Sequence, residues 1–134
     1  MKCLIAAISF TVSCMLLLAT RPPVAVADGN PLRGKILFLH CASCHDVTMM
    51  PSAKIGPNLH GVIGRRVASL EGYKYSPALK AADFVWDAPH LDAWLTNPNA
   101  LAPGTAMAFA GLPDAADRQA IISYLETQGD AAAP

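Results

Sequence analysis

Cys41-Ala42-Ser43-Cys44-His45 constrains this chain more than any other stretch. Two thiols three positions apart, the second followed at once by an imidazole, have the spacing at which a chain forms two thioether bonds to a haem. The adjacent histidine is then offered to the iron. Two other readings use the same residues: a thioredoxin-like redox pair, or half of a tetrahedral zinc site. A redox pair belongs in a βαβ pattern, which the sequence lacks, and a zinc site needs a second Cys or His pair at suitable spacing. The remaining cysteines, Cys3 and Cys14, lie in what reads as a removable leader.

That leader has three parts. Lys2 is followed by an apolar run from Cys3 to Ala19, then Arg21-Pro22-Pro23 and the small residues Ala25-Val26-Ala27. A basic start, an apolar middle and an A-x-A end describe a secretory signal peptide over residues 1–27, cleaved after Ala27. The run is slightly short for a spanning helix, so an uncleaved membrane anchor is the competing reading. A lipoprotein reading through Cys14 is weaker, because Thr11-Val12-Ser13 is a poor lead-in. Export suits covalent haem attachment, which in bacteria is a periplasmic process, and predicts a periplasmic protein.

The whole chain of 134 residues is 53% hydrophobic, a fraction that the leader inflates. Residues 28–134 are near the small end for a domain with its own core, where a large buried cofactor adds stability. They keep eight basic and ten acidic side chains, a balance of −2, which does not favour a nucleic-acid partner, and none is expected.

Helix signals punctuate this domain. Asn30-Pro31 predicts a first helix running into Cys41, with Leu32, Ile36 and Leu39 at helical spacing and Leu37 and Phe38 widening an apolar, core-facing side. His40 is expected to face solvent. Ser76-Pro77 opens a short helix. Asp87 caps another that places Leu91, Trp94 and Leu95 on one face and stops at Asn97-Pro98. A last helix over Pro113 to Gln128 carries Asp114 and Asp117 near its start and a stripe of Ile121, Tyr124 and Leu125. Strand runs and internal repeats are absent from the sequence.

Met49 and Met50 follow His45 closely, too near in the chain to reach the opposite face of a haem, and read as loop or packing residues. Beyond them, Gly56-Pro57-Asn58-Leu59-His60-Gly61 with Gly64-Arg65, and the later Pro103-Gly104-Thr105-Ala106-Met107-Ala108-Phe109-Ala110-Gly111, resemble two segments of class I c-type cytochromes. These are the mitochondrial and soluble bacterial cytochromes c. The resemblance covers about residues 30–128.

It implies an all-α single domain, three main helices plus short helices and loops wrapped around one haem c bound through Cys41 and Cys44. It also implies roles. Pro57 would accept a hydrogen bond from the outer nitrogen of His45; Arg65 would support a propionate; Tyr75 and Trp86 would donate to a propionate. Trp94 would stand beside the distal ligand, where the family commonly has tyrosine. Met107 would be the sixth iron ligand opposite His45, in a loop that also brings Phe109 to the cofactor. The implied function is one-electron transfer by a monomer, not an enzyme. A membrane complex or dehydrogenase would act as donor and an oxidase or reductase as acceptor. Two alternatives are a haem subunit docked permanently to a larger oxidoreductase, and a peroxidase-like or ligand-binding protein in which Met107 is not bound.

Two features depart from the family. Phe38 stands three residues before Cys41 where relatives more often leave four, so either Leu37 or Phe38 could meet Tyr124. Lysines common around the exposed haem edge are replaced by Asn99, Ala100, Ala106 and Ala108.

Overall fold

The computed structural model describes residues 29–129, so the expected signal peptide over residues 1–27 lies outside the described residues. Each helix starts where a short polar side chain can satisfy its free amide groups. The Asn30 side chain accepts hydrogen bonds from the amides of Leu32 at 2.9 Å and Arg33 at 3.4 Å, opening α1 (Pro31–Leu37). Ser76 does the same for α2 (Pro77–Ala81), Asp87 for α3 (Ala88–Thr96), Asn97 for α4 (Pro98–Leu101) and Asp114 for α5 (Ala115–Glu126). Proline stands in the first turn of the first four, where its missing N–H has no helical partner to lose. The helix stop expected at Asn97-Pro98 is real, and the same pair starts the one-turn α4.

The three main helices, α1, α3 and α5, share one core. Phe38, Val62, Leu91, Leu95, Ile121, Ile122, Tyr124 and Leu125 form its buried cluster. Among the described residues strand pairing amounts to one antiparallel bridge, Arg66 to Val85, which holds the long connection between α1 and α3. The fold is all-α, as expected. Arg118 fastens α5 to α3. Its Nε donates to the Asp92 carboxylate at 2.8 Å and its Nη1 to the carbonyls of Leu112 and Pro113, both at 2.9 Å.

α1 crosses α5 at a glycine. A Cβ at Gly34 would lie 1.9 Å from the Ala120 carbonyl oxygen and 2.7 Å from the Tyr124 Cβ. One helical turn later Phe38 packs on Tyr124, ring centroids 5.4 Å apart and tilted by 53°. That resolves the pairing in favour of Phe38. The missing residue before Cys41 is absorbed by tightening: Phe38–His40 is a 3₁₀ turn, and the Cys41 amide donates to the Phe38 carbonyl at 2.8 Å.

The expected core-facing side of α1 is corrected. Leu32, Ile36 and Leu39 are 72%, 67% and 70% exposed, whereas Gly34 and Phe38 are buried. The apolar spacing is helical, but it marks the outward side. The contact face is centred on a residue with no side chain to count.

Two outcomes test this packing. Gly34→Val should lower the free energy of unfolding by roughly 2–3 kcal/mol through overpacking, read as a lower guanidinium midpoint; an unchanged midpoint would contradict the crossing. At the start of α3, the Asp87 carboxylate accepts from the His90 backbone amide at 2.9 Å and from the ring Nδ1–H at 2.6 Å. These bonds hold Asp87 below the usual carboxylate range. A depressed folded value stabilises above the unfolded value of about 4 and is lost as pH falls through the folded value. Thermal unfolding should therefore show an acid-side loss that Asp87→Asn makes shallower; an identical acid limb would refute it.

Candidate cofactor site

The attachment segment is a tight turn leaving the 3₁₀ helix, with the amides of Cys44 and His45 donating to the Cys41 carbonyl at 3.0 and 2.9 Å. Cys41 is partly buried and Cys44 exposed. Burial, then the neighbouring Cys44, pushes the Cys41 thiol up. His45 is 8% exposed, a buried polar side chain. Its Nδ1 lies 2.8 Å from the Pro57 carbonyl oxygen, which can only accept, so Nδ1 carries the hydrogen. Burial lowers the pKa of His45 against the opposing effect of that bond. A neutral ring with Nδ1 protonated leaves the Nε2 lone pair available to a metal.

Gly56 makes this approach possible. A Cβ there would stand 2.5 Å from His45 Cε1 and 2.6 Å from Nδ1, and the Gly56 amide donates to the Cys44 carbonyl at 2.8 Å. The sequence marked Gly56 only as part of a turn. Lys54 was not signalled at all. Its ammonium donates to the carbonyls of Ala42 at 2.5 Å and His45 at 3.0 Å while pairing with Asp46 at 2.7 Å. Those carbonyls end the attachment turn, so Lys54 satisfies them where no helix continues. Tyr73 adds a brace from a distant loop, its hydroxyl donating to the Ile55 carbonyl at 2.9 Å.

Arg65 is half-buried and holds the Gly56–Gly61 turn from inside, donating from Nη2 to the Asn58 carbonyl at 2.9 Å and from Nη1 to the His60 carbonyl at 3.3 Å. Burial lowers its pKa, and Tyr75 is among the groups acting on it. Burial in turn raises Tyr75, against Arg65, so Tyr75 keeps its hydroxyl hydrogen as a donor. Trp86 and Trp94 meet edge to face, centroids 5.3 Å apart at 76°. Phe84 also meets Trp86 edge to face, centroids 4.8 Å apart.

Met107 is partly buried in the loop after α4. Its amide approaches the Thr105 hydroxyl at 3.4 Å, and its carbonyl accepts from the Phe109 amide at 3.1 Å. Gly104 and Gly111 bound the loop with φ of +87° and +97°, and a Cβ at Gly111 would meet the Thr96 carbonyl at 2.0 Å. Met49 and Met50 are 77% and 70% exposed, loop residues rather than packing ones. Leu37, His40 and Cys41 from one side and Phe109, Leu112 and Ile121 from the other line a cavity of about 330 Å³. The structure therefore brings Cys41 and Phe109 to one space, Arg65 near Tyr75, Trp86 onto Trp94, and His45 to Pro57.

These residues suit a haem. The Cys41 thiol stands in the wall of an apolar cavity, and four residues on, His45 is oriented through its outer nitrogen; His45, Cys44 and Met107 are not part of that cavity's lining. The alternatives lack their parts: among the described residues there is no strand for a βαβ redox fold, and no group of three or more His, Cys, Asp or Glu side chains that could hold a metal ion.

Comparison with known proteins agrees. The cytochrome c family profile matches residues 32–129. The chain is 39% identical over 104 residues to cytochrome c2 of Rhodomicrobium vannielii, covering 78% of this chain and 83% of that one. It is 44% identical over 106 residues to cytochrome c of Theileria annulata, covering 78% and 91%. With cytochrome c-554 of Methylosinus trichosporium it shares 39% identity over 105 residues, covering 78% and 80%. A helical fold closed by the α1–α5 crossing, a Cys-x-x-Cys-His turn at its cavity and this extent of likeness have one reading: the chain belongs to the cytochrome c family, electron carriers with one haem c bound covalently through the paired cysteines, here Cys41 and Cys44.

Proposed function

We propose that the mature protein is a periplasmic one-electron shuttle whose haem iron is held between His45 and Met107. The bond from His45 Nδ1 to the Pro57 carbonyl carries this reading, because it turns a buried neutral imidazole into an oriented ligand. When bound, the haem supplies an iron that gains and loses a single electron. The chain sets the conditions. His45 offers Nε2, and Met107 offers a soft thioether that favours the ferrous state and raises the reduction potential. Arg65, Tyr75 and Trp86 provide a guanidinium and two donors for propionates, and Trp94, edge-on to Trp86, flanks the distal side. Phe109, Leu37, Leu112 and Ile121 give the cavity at Cys41 apolar walls.

With His45 and Met107 both bound, the iron would keep no place for oxygen or substrate. That supports a carrier over a peroxidase-like or gas-binding protein. The Lys2-to-Ala27 pattern supports export with cleavage after Ala27, and a bacterial cytochrome c2 among the relatives fits that compartment. Eukaryotic cytochromes c are also similar, so the compartment reading rests mainly on the leader. Among the described residues no helix is long and apolar enough to cross a membrane. Donor and acceptor are redox proteins, with a membrane complex or dehydrogenase on one side and an oxidase or reductase on the other.

Met107→Ala should remove the weak far-red absorption band of thioether-to-ferric-iron coordination and lower the potential on the order of a hundred millivolts or more. Retention of both would move the sixth ligand elsewhere. Because Asn99, Ala100, Ala106 and Ala108 leave this edge uncharged, the association rate with a redox partner should change little between low and physiological salt. A steep fall in rate with added salt would contradict the neutral edge.

A further inference from the structure

The attachment turn hands its main-chain oxygens to particular donors. The Cys44 carbonyl accepts from the Gly56 amide at 2.8 Å and the Asp46 carbonyl from the Leu59 amide at 2.7 Å. Those of Ala42 and His45 both go to the Lys54 ammonium, at 2.5 and 3.0 Å, and the Asp46 carboxylate accepts from the same nitrogen at 2.7 Å. An ammonium has three N–H groups, so these three oxygens use all of them. Each oxygen belongs to residues 42–46, the segment that contains Cys44 and His45.

The anion of this set is fixed separately. The second carboxylate oxygen of Asp46 accepts from the Ser52 hydroxyl at 2.7 Å, and the Ser52 oxygen accepts from the Lys54 amide at 3.2 Å. Asp46, Ser52 and Lys54 therefore close a ring of bonds. Removing either charge leaves the other side chain held, Lys54 by two carbonyls and Asp46 by Ser52. One positive and one negative charge are thus fixed against the backbone of the residue that offers Nε2 to the iron.

We propose that Lys54 is a positioning residue for electron transfer: it holds the His45 backbone through its carbonyl and sets the reduction potential with a fixed positive charge, while Asp46 holds the ammonium and offsets part of its field. This rests on the carrier reading above. Loss of an electron adds one positive charge to the bound group, which a neighbouring cation disfavours and a neighbouring anion favours. Lys54 therefore raises the potential and Asp46 lowers it. Both side chains are partly exposed, so water and salt keep each effect to a few-fold in the redox equilibrium. A purely structural pair would behave otherwise. The same ion pair is lost whichever partner is changed, and loosening one turn would move the potential in one direction.

The test is a mediated redox titration of the purified holoprotein at neutral pH and low ionic strength, for wild type, Lys54→Met, Asp46→Asn and the double variant. At a fixed mediator potential, Lys54→Met should shift the ferrous-to-ferric ratio about threefold towards ferric, a potential lower by roughly 30 mV at about 59 mV per tenfold for one electron. Asp46→Asn should shift the ratio towards ferrous, and the double variant should lie between the two. The guanidinium midpoint should also fall in Lys54→Met, where two carbonyls lose their donor. Single variants that move the potential in the same direction, or not at all, would overturn the potential-setting role. An unchanged guanidinium midpoint in Lys54→Met would overturn the holding role. If Lys54→Met yields too little holoprotein to titrate, Asp46→Asn decides alone: a higher potential supports the proposal, and an unchanged or lower one overturns it. Failure of the carrier reading looks different: wild-type protein without covalent haem, or with no reversible one-electron couple.

Discussion

A buried imidazole must dispose of two nitrogens, and in this chain one of them is committed. The 2.8 Å bond from His45 Nδ1 to the Pro57 carbonyl fixes the tautomer and the ring plane, so Nε2 is the nitrogen left for a metal. Much of the local structure exists to keep that bond short. Gly56 removes the Cβ that would push the ring away, Arg65 holds the following turn through the Asn58 and His60 carbonyls, and Tyr73 ties Ile55 from across the surface. Lys54 closes the other end by taking up the carbonyls of Ala42 and His45. Each is a modest interaction, with a net value of about 0.5–1.5 kcal/mol for a typical hydrogen bond. Together they restrain a turn that has neither a helix nor a sheet to support it.

The helices supply the rigid frame for this turn. Because Gly34 lets the α1 backbone close on Ala120, Phe38 reaches Tyr124 and Cys41 is delivered to the cavity that Ile121 helps to line. The same α5 carries Arg118, whose bonds to Asp92, Leu112 and Pro113 anchor α3 and the end of the distal loop. One helix therefore references both sides of the candidate site, the attachment turn and the methionine loop. Such coupling suits electron transfer, in which little rearrangement between oxidation states is the physical requirement.

The sequence was most legible where causes are local. Asn30, Ser76, Asp87 and Asp114 announce helix starts because a cap and the amides it serves lie within three residues. The Cys41–His45 spacing and the Gly56–Gly61 and Pro103–Gly111 segments pointed to the family that the comparisons support. Legibility failed where the cause lies across space. Leu32, Ile36 and Leu39 gave a helical period of the right kind on the outward face, because the contact face is built on a glycine that a hydrophobicity pattern does not register. Lys54 gave no signal, since its partners depend on how residues 46–55 fold back. Helix α4 is too short to show a period.

The loop that carries Met107 is uncharged, since no Asp, Glu, Lys or Arg occurs between Asp92 and Asp114 and Asn99, Ala106 and Ala108 stand along it. All of this presupposes a ring clamped between His45 and Met107. The most direct measurement is the proton NMR spectrum of the reduced protein, where a methyl group held against the face of a porphyrin is shifted far upfield by the ring current. The clamp requires one three-proton line beyond every ordinary aliphatic signal, lost in Met107→Ala. Its absence from the wild-type spectrum, or its survival in that variant, would contradict the account.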